Sequence, residues 1–261
     1  MSSAPEGSHE HKDDEAFIIV KAAPRASQSH GETVCIAAID MNGKWVRLYP
    51  VSFRHLADGQ KFGRWDRISY RWRKATSDQR VESRRVDQDS IEIKGKLKEG
   101  ERHSFLSRAA VSSLKAEWDQ GRSLAILNCE IIDFWHEPQT AEELRRQEDV
   151  YDNMRRQNDF FSKGNLIPRE ACPHVFKYRY RDADGIHIGT CQDWETEATF
   201  LHRRRDLGSE AAALDWMAEK FGVEFPRKGM VLAMGTHRRW EGQWLINGVL
   251  RANPVTQMTM L

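Results

Sequence analysis

The chain has 261 residues, of which 39% are hydrophobic and 10% aromatic, enough apolar side chain for one large domain or two small ones. Its formal net charge of +1 gives no global sign of a polyanionic partner. No apolar run approaches the ~20 residues that a membrane helix needs. The polar segment 1–15 lacks the apolar core of a signal peptide and is typical of a disordered leader. We therefore expect a cytoplasmic protein with no membrane partner.

The sequence lacks the motifs of the common cofactor and catalytic sites. Its four cysteines show no CxxC spacing, which argues against both a four-cysteine zinc site and a disulfide framework. No Walker loop, GxGxxG, GxSxG or HExxH occurs. We expect no cofactor, and the absences favour a protein without enzymatic activity while leaving catalysis open.

The first hundred residues predict about five strands. Apolar runs alternate or are nearly continuous, and Asn42-Gly43 gives a hairpin turn signal between two of them. The predicted strands are Phe17–Val20, Val34–Ile39, Trp45–Tyr49, Arg67–Arg73 and Ser90–Lys94. Continuous apolar runs are typical of central strands in a closed sheet.

The middle of the chain predicts helices. An apolar residue at every fourth position predicts a helix from about Ser104 to Asp119, and Leu124 to Phe134 is typical of a strand. Thr140 to Ser162 predicts a long polar helix, which we interpret as a connector or a lid.

The last ninety residues repeat the pattern of strands with one helix. Val175–Arg181 and Ile186–Trp194 predict a strand pair around the turn at residues 182–185. Ser209 is a helix cap signal, and two closing strands follow at residues 229–234 and 244–250.

This layout predicts a mainly β protein with α insertions (α+β), built as two small barrels or half-barrels. The predicted divisions are a disordered leader at 1–15, a first β domain at 16–136, a helical connector at 137–170 and a second α+β domain at 171–261.

Positive charge is concentrated in one stretch. Between Lys61 and Arg85 nine basic residues face three acidic ones, a local excess of six in 25 residues. Smaller basic clusters follow at residues 203–205 and 237–239. Such segregation on a nearly neutral chain indicates a local anionic partner.

Strand geometry places these basic side chains along a candidate groove. Alternate side chains of a strand share a face, so Arg67, Arg71 and Arg73 lie opposite to Ile68 and Trp72. Trp45, Arg47 and Tyr49 likewise share one face of their strand. Guanidinium groups neutralise phosphates and exposed rings stack on bases, although a solvated outer face with long arginine side chains has the same pattern.

We predict nucleic-acid contacts at both strands, at the continuing basic segment, at a strand of the second half and at the loop after residue 236. These residues are Trp45, Arg47, Tyr49, Arg54, Arg67, Arg71, Arg73, Lys74, Arg80, Arg84, Arg85, Lys177, Arg179, His237, Arg238, Arg239 and Trp240.

A second set of residues suggests metal chemistry. His187, Asp193 and Glu195 have even spacing and would share a face of a straight strand with Cys191. A histidine and two carboxylates on one face could bind a divalent metal for phosphodiester hydrolysis. Cys172 and His174 could join His187 and Cys191 in a zinc site. The alternative is that Asp193 and Glu195 cap backbone amides at the end of a strand.

Several segments together resemble a known family. They are Phe17–Lys21, Gly31–Cys35, Trp45–Pro50, Phe53–Arg54, Pro173–Tyr180, His187, Asp193–Glu195 and Gly235–His237. Over residues 16–251 the chain resembles the uncharacterised bacterial proteins described as dual OB-containing (DuOB). The resemblance implies two OB-like barrels and nucleic-acid binding, often in bacterial defence or nucleic-acid repair.

The chain also departs from the DuOB pattern. A cysteine-rich stretch often precedes the histidine that matches His187, and residues 182–185 contain no cysteine. This difference weakens the zinc hypothesis, and the family supplies no catalytic residue.

Three hypotheses remain after the sequence. The first is a non-enzymatic binder of single-stranded or structured nucleic acid. The second is a metal-dependent hydrolase of nucleic acid or nucleotides. The third is an adaptor that docks a protein partner on the helix at residues 140–162.

Overall fold

The computed structural model is mostly β-strand, with three sheets and a few helices. It describes residues 11–21, 25–27, 31–53, 56–76, 78–159, 170–237 and 242–251. Within these residues, no helix combines the length and the apolar character needed to cross a bilayer.

The first half is a ring of paired strands. Its strands are β1 (Lys12–Lys21), β2 (Arg25–Ser27), β3 (Gly31–Asp40), β4 (Trp45–Val51), β5 (Asp66–Lys74) and β6 (Ser83–Lys96), with a 3-10 turn at Asp58–Gln60. The sheet order is β1-β5-β6-β4-β3-β2, and β1 also pairs with β3. The strands β1, β3, β4, β6 and β5 therefore each pair with two others of the ring, β2 pairs with β3 outside it, and only the β4–β6 pair is parallel.

Alternation of side chains builds the core of this ring. In β5, Ile68 and Tyr70 are buried while Arg71 is exposed, as the predicted pleat requires. They pack with buried residues of β1, β3 and β4, including Ile18, Ile36 and Leu48. The Asn42-Gly43 turn joins β3 to β4, and Gly43 has φ +77°, which an L side chain rarely adopts.

The second half consists of two sheets and most of the helices. Its elements are α1 (Glu99–Ala109), β7 (Ala110–Val111), α2 (Leu114–Asp119), β8 (Leu124–Leu127), β9 (Glu130–Pro138), α3 (Ala141–Asp159), β10 (His174–Asp182), β11 (Gly185–Thr190), α4 (Trp194–Leu207), α5 (Glu210–Met217), α6 (Phe225–Arg227), β12 (Met230–Thr236) and β13 (Trp244–Arg251). A π-helical segment, Ala218–Glu224, joins α5 to α6.

The two sheets of the second half share one core. Their orders are β13-β12-β8-β7 and β11-β10-β9. A parallel bridge between Cys191 and Ile246 links the end of β11 to β13, and only residues 128–129 separate β8 from β9. Phe134, Phe176 and Phe200 lie in the core that both sheets cover.

Several predicted boundaries were wrong. The helix predicted at Ser104–Asp119 is two helices, because the chain is extended at Ala110 and Ser113 caps α2 by accepting from the Ala116 N–H. The strand predicted at Leu124–Phe134 breaks at residues 128–129 into β8 and β9. The strand predicted at Ile186–Trp194 stops at Thr190.

The observed strands also cross two of the predicted divisions of the chain. β1 begins at Lys12, inside the segment expected to be disordered. β8 and β9, placed by sequence in the first domain, pair with β12 and β10 of the second half. Strand pairing depends on contacts distant in the chain, which local patterns do not contain.

The two halves are packed directly against each other. Ala37 and Ile39 of β3 share a buried cluster with Leu124 of β8 and Ala233 of β12. At Gly248 of β13 an added Cβ would lie 2.6 Å from a methyl carbon of Val20 in β1. The close approach of backbone and side chain therefore requires glycine there.

Buried charges also join the halves. Arg64 donates to the Val249 carbonyl at 2.8 Å and lies 3.4 Å from the Asp193 carboxylate. Asp193 is 2% exposed, and it also accepts from the Val249 N–H at 3.0 Å. Removing one member of such a pair leaves the other charge buried without compensation.

We expect Asp193→Ala to lower the free energy of unfolding by about 3–5 kcal/mol, because the buried Val249 N–H would lose its acceptor and Arg64 would keep only the half-exposed Glu195 carboxylate. Urea denaturation followed by circular dichroism measures this loss. The control is Asp119→Ala, which removes an exposed helix-surface pair with Lys115 and should leave the midpoint unchanged. Equal midpoints for both variants would contradict the role of the buried pair.

Candidate nucleic-acid interface

The outer face of β3 and β4 is covered by the second half. Arg47, a predicted nucleic-acid contact, is 5% exposed and donates to the Ser123 carbonyl and hydroxyl at 3.3 and 3.1 Å. The Ser123 hydroxyl donates in turn to Glu82 at 2.9 Å. Trp45 packs against the cluster that both halves share. In this structure both side chains serve the contact between the halves.

Arg80 is also held within the protein. Its guanidinium lies 2.6 Å from the Asp78 carboxylate and donates to the Thr236 carbonyl at 3.1 Å. Burial raises the pKa of Asp78, but the hydrogen bond and charge of Arg80 outweigh it and bring that pKa to about 2. Asp78 is therefore ionised at neutral pH and balances Arg80.

The predicted arginine row of β5 divides into two parts. Arg67 and Arg71 face outward as predicted, but acids lie beside them: Glu15 at 3.6 Å from Arg67 and Asp87 at 3.1 Å from Arg71. Half-exposed pairs of this kind are worth under ~1 kcal/mol, so a ligand could displace them.

The other part lies where β5 ends and β6 begins. Arg73 and Lys74 of β5 stand opposite Arg85 and Arg84 of β6, and Tyr49 of β4 stands beside Arg85. Because cross-strand partners share a face and successive residues alternate, Arg73 and Arg85 lie on the outer face with Tyr49, whereas Lys74 and Arg84 lie on the opposite face. We call Tyr49, Arg73 and Arg85 the basic corner. Two arginines from two strands are therefore adjacent beside an exposed ring.

The second half presents an open sheet face on β9, β10 and β11. Inward residues of β10 fill the core, and Lys177, Arg179 and Arg181 point the other way. They stand opposite Thr190, Ile188 and Ile186 of β11, and Lys177 stands opposite Trp135 of β9. We call Trp135, Lys177, Arg179, Arg181, Ile186 and Ile188 the open sheet face.

This open sheet face combines apolar and cationic groups. Ile186 and Ile188 are 57% and 60% exposed, among the most exposed large apolar residues described. The Arg179 guanidinium lies 5.8 Å from the centre of the Trp135 ring. Lys177 pairs with Glu137 at 2.6 Å, and Arg181 pairs with Glu130. The result is a ring, a guanidinium and two isoleucines on one flat surface.

Some predicted contacts fall outside the described residues. Arg54, Arg238, Arg239 and Trp240 belong to this group. His237 is described at the end of β12, where its N–H donates to the Gln243 carbonyl at 3.0 Å. The helix at residues 140–162 is described as α3 up to Asp159, and α3 lies against β2 and β3.

The proposed hydrolytic residues do not lie on one strand. β11 ends before Asp193, and Glu195 is already in α4. Asp193 caps α4 by accepting from the Glu195 N–H at 3.1 Å, which is the capping role weighed as the alternative. His187 Nε2 lies 2.9 Å from Asp182, and Glu195 lies 3.2 Å from Arg64.

The residues suggested for zinc also have separate partners. His174 lies 3.0 Å from Glu210 through Nε2 and 3.3 Å from His136 through Nδ1. Cys191 donates to Thr196, and burial raises the pKa of its thiol to about 12. Cys172 is buried. Among the residues that the structure describes, no three His, Cys, Asp or Glu side chains are grouped to hold a metal ion.

Sequence reasoning did not find Trp135, Ile186 and Ile188. The predicted strand ended at Phe134, one residue before the tryptophan. In β11 the alternation of Ile186 and Ile188 was visible. However, apolar residues at alternate positions normally predict the buried side of a strand, and here they are on the solvent side.

Comparisons with known proteins match two family models. A model described as Domain of unknown function (DUF8757) matches residues 105–260, and another, Domain of unknown function (DUF8758), matches residues 12–110. No curated protein matches the chain.

Among solved structures, the chain is similar to a chain of "Structure and Conformational Change of a Replication Protein A Heterotrimer Bound to ssDNA". The identity is 9% and the TM-score 0.25, over 94% of this chain and 66% of that chain. The protein thus spans just under two thirds of the length of that chain.

The paired histidines predict a pH effect on stability. Burial and the neighbouring His174 lower the pKa of His136 below its ordinary 6.5, and Glu210 opposes them. The folded protein then binds fewer protons than the unfolded chain, so stability falls as the pH drops through about 6.5.

We expect the loss of stability between about pH 7.5 and about pH 5.5 to be smaller in His136→Gln than in the unaltered protein. Urea unfolding at both pH values measures the two losses. Equal losses would show that His136 does not contribute.

Proposed function

This chain is a member of the DUF8757 family of unknown function, and we propose that it binds single-stranded nucleic acid, with the open sheet face as the surface for unpaired bases. The proposal assigns no catalytic step. No observation favours the hydrolase alternative, since His187, Asp193 and Glu195 lie on different elements.

The order of the strands supports two OB-like barrels, as the DuOB resemblance implies. An OB-fold is a five-stranded Greek-key barrel that binds oligonucleotides on the face of its second and third strands. In the first half the five ring strands in chain order are β1, β3, β4, β5 and β6. The third pairs with the fifth in parallel, and the fourth with the first in antiparallel.

The second half follows the same order when β8 and β9 are taken as one bent strand. β10 and β11 are then the second and third strands, and β12 and β13 the fourth and fifth. The third strand again pairs with the fifth in parallel, here through one bridge between Cys191 and Ile246. Helices α4 to α6 lie between the third and fourth strands.

The two corresponding faces differ in what covers them. In the first half the second and third strands, β3 and β4, lie under the second half, and Arg47 is buried there. In the second half the corresponding strands, β10 and β11, expose Ile186 and Ile188. The face available to an oligonucleotide is therefore on the second half.

The observation that carries the proposal is the half-buried Trp135 ring, paired with the exposed Arg179 guanidinium, beside two exposed isoleucines. Stacking of a base on an aromatic ring is worth roughly 1–3 kcal/mol, and arginine adds cation–π attraction. Bases in a duplex are already stacked on each other, so this surface favours a single strand. Lys177 and Arg181 can exchange their exposed carboxylate partners for phosphates.

Oligonucleotides also contact the loops between strands one and two and between strands four and five of an OB-fold. The second of these is the segment 237–243, where sequence predicted His237 to Trp240 as contacts. Most of that segment lies outside the described residues.

We expect Trp135→Ala to weaken binding of a labelled single-stranded oligonucleotide by roughly 1–3 kcal/mol, because one stacking ring is lost. Fluorescence anisotropy at low salt measures the dissociation constant. Trp135→Phe keeps a ring and should retain most of the affinity.

The matched control is Leu207→Ala, which removes an exposed apolar residue from the end of α4. It should leave binding unchanged. Affinity that is unaffected by Trp135→Ala, or equal affinity for duplex and single strand, would refute the proposed surface.

A further inference from the structure

The basic corner holds like charges in direct opposition. Arg73 stands opposite Arg85 on the outer face, and the next cross-strand pair, Lys74 and Arg84, lies on the other face. Side chains in such pairs are about 4.5–5.5 Å apart at Cβ, and like charges at that distance destabilise a sheet. A sheet edge with no ligand would gain nothing from this arrangement.

Acidic residues lie beside the neighbouring arginines of β5. Asp13 of β1 stands opposite Arg71, and Glu15 pairs with Arg67. The pairing of β1 with β5 stops where Lys12 meets Trp72, so Arg73 lies beyond the acids of β1. Within the described ranges, no carboxylate lies within ion-pair distance of Arg73, of Lys74 or of Arg85.

The outer face separates Arg73 and Arg85 from the next basic residue. The Arg84 guanidinium lies on the other face, where it stacks on the Trp72 ring at 4.1 Å from its centre and donates to the Val81 carbonyl at 2.9 Å. On the outer face, Tyr49, Arg85 and Arg73 form one row across β4, β6 and β5. Adjacent strands are about 4.7–4.9 Å apart, so the side chains of this row can reach one phosphate or two successive ones.

We propose that Arg73 and Arg85, beside the Tyr49 ring, form a second, separate binding site that holds successive phosphates of a nucleic-acid backbone. The choice of nucleic acid as the source of the phosphates rests on the proposed function; the affinity for linked phosphates does not. The open sheet face contacts bases, and the basic corner contacts the backbone without regard to sequence. Bound phosphates remove the repulsion between the opposed cations.

Because one surface contacts bases and the other contacts phosphates, variants of the two surfaces should change the salt dependence of the binding constant differently. For single strands, the logarithm of the binding constant falls with the logarithm of salt concentration by about 0.7 for each phosphate neutralised. We expect the double variant Arg73→Gln/Arg85→Gln to lower this slope by about 1.4, one contact for each arginine. Trp135→Ala should reduce affinity and leave the slope unchanged.

The experiment measures anisotropy of labelled oligothymidine of about 20 nucleotides over a series of NaCl concentrations. The matched control is Arg67→Gln, on the same face of β5 but paired with Glu15. A slope lowered in the double variant and nearly unchanged in Arg67→Gln supports the site. Equal slopes in all proteins, or equal reductions in both variants, overturn it.

A second probe separates this site from the proposed function. Inorganic tripolyphosphate offers linked phosphates without bases, and we expect it to raise the melting temperature of the unaltered protein but not of the double variant. Tripolyphosphate stabilisation that depends on Arg73 and Arg85 would support the site even if no oligonucleotide binds. No stabilisation of the unaltered protein, or equal stabilisation of both, overturns it.

The melting temperature of the protein without ligand provides a third test. Because each arginine opposes a like charge, Arg73→Gln alone should keep or raise the melting temperature at low salt, while weakening oligothymidine and tripolyphosphate binding. A lower melting temperature would show that the arginine stabilises the fold, contrary to the proposed site.

Discussion

The packing of the second half on the outer face of β3 and β4 is the contact on which the rest of the structure depends. It buries Ala37 and Ile39 against β8 and β12, and it requires glycine at position 248. Polar groups buried there must find partners inside the protein. Arg47 meets Ser123, and Arg64 meets Asp193 and the backbone of Val249. The two halves are thereby held together by apolar area and by buried hydrogen bonds with defined directions.

This contact also decides which surfaces remain for a ligand. It covers much of the outer face of β3 and β4, where it buries Arg47 and partly buries Trp45, two of the residues that sequence predicted as contacts. The corresponding strands of the second half keep an open face with Trp135, and the far end of β5 and β6 keeps its cations. The two proposals therefore place base contacts on one half and phosphate contacts on the other. Under these proposals, a strand of nucleic acid long enough to reach both surfaces would bind more tightly without new contacts at either site.

The sequence predicted the basic corner better than the open sheet face, for a physical reason. Period-two alternation was sufficient to put Arg73 on the side of β5 opposite to Trp72, and the local charge excess marked the segment. The sequence did not show which cations have an acidic partner, because Glu15 and Asp87 reach Arg67 and Arg71 only across strand pairs. Trp135 was missed because its strand was predicted to end at Phe134, whereas β9 continues to Pro138. Ile186 and Ile188 had the pattern of a buried face and lie on an exposed one.

Local chemistry alone determined the mainly β character, the Asn42-Gly43 turn, the cap at Ser209 and the concentration of positive charge, because each depends on residues a few positions apart. The tertiary structure decided what depends on distant residues. It placed β8 and β9 with the second half, ended β11 before Asp193 and used that carboxylate to cap α4 and to bind Arg64. It also selected which of two similar sheet faces is covered. Burial and ion pairing arise from side chains that meet only after folding, and no local pattern contains that information.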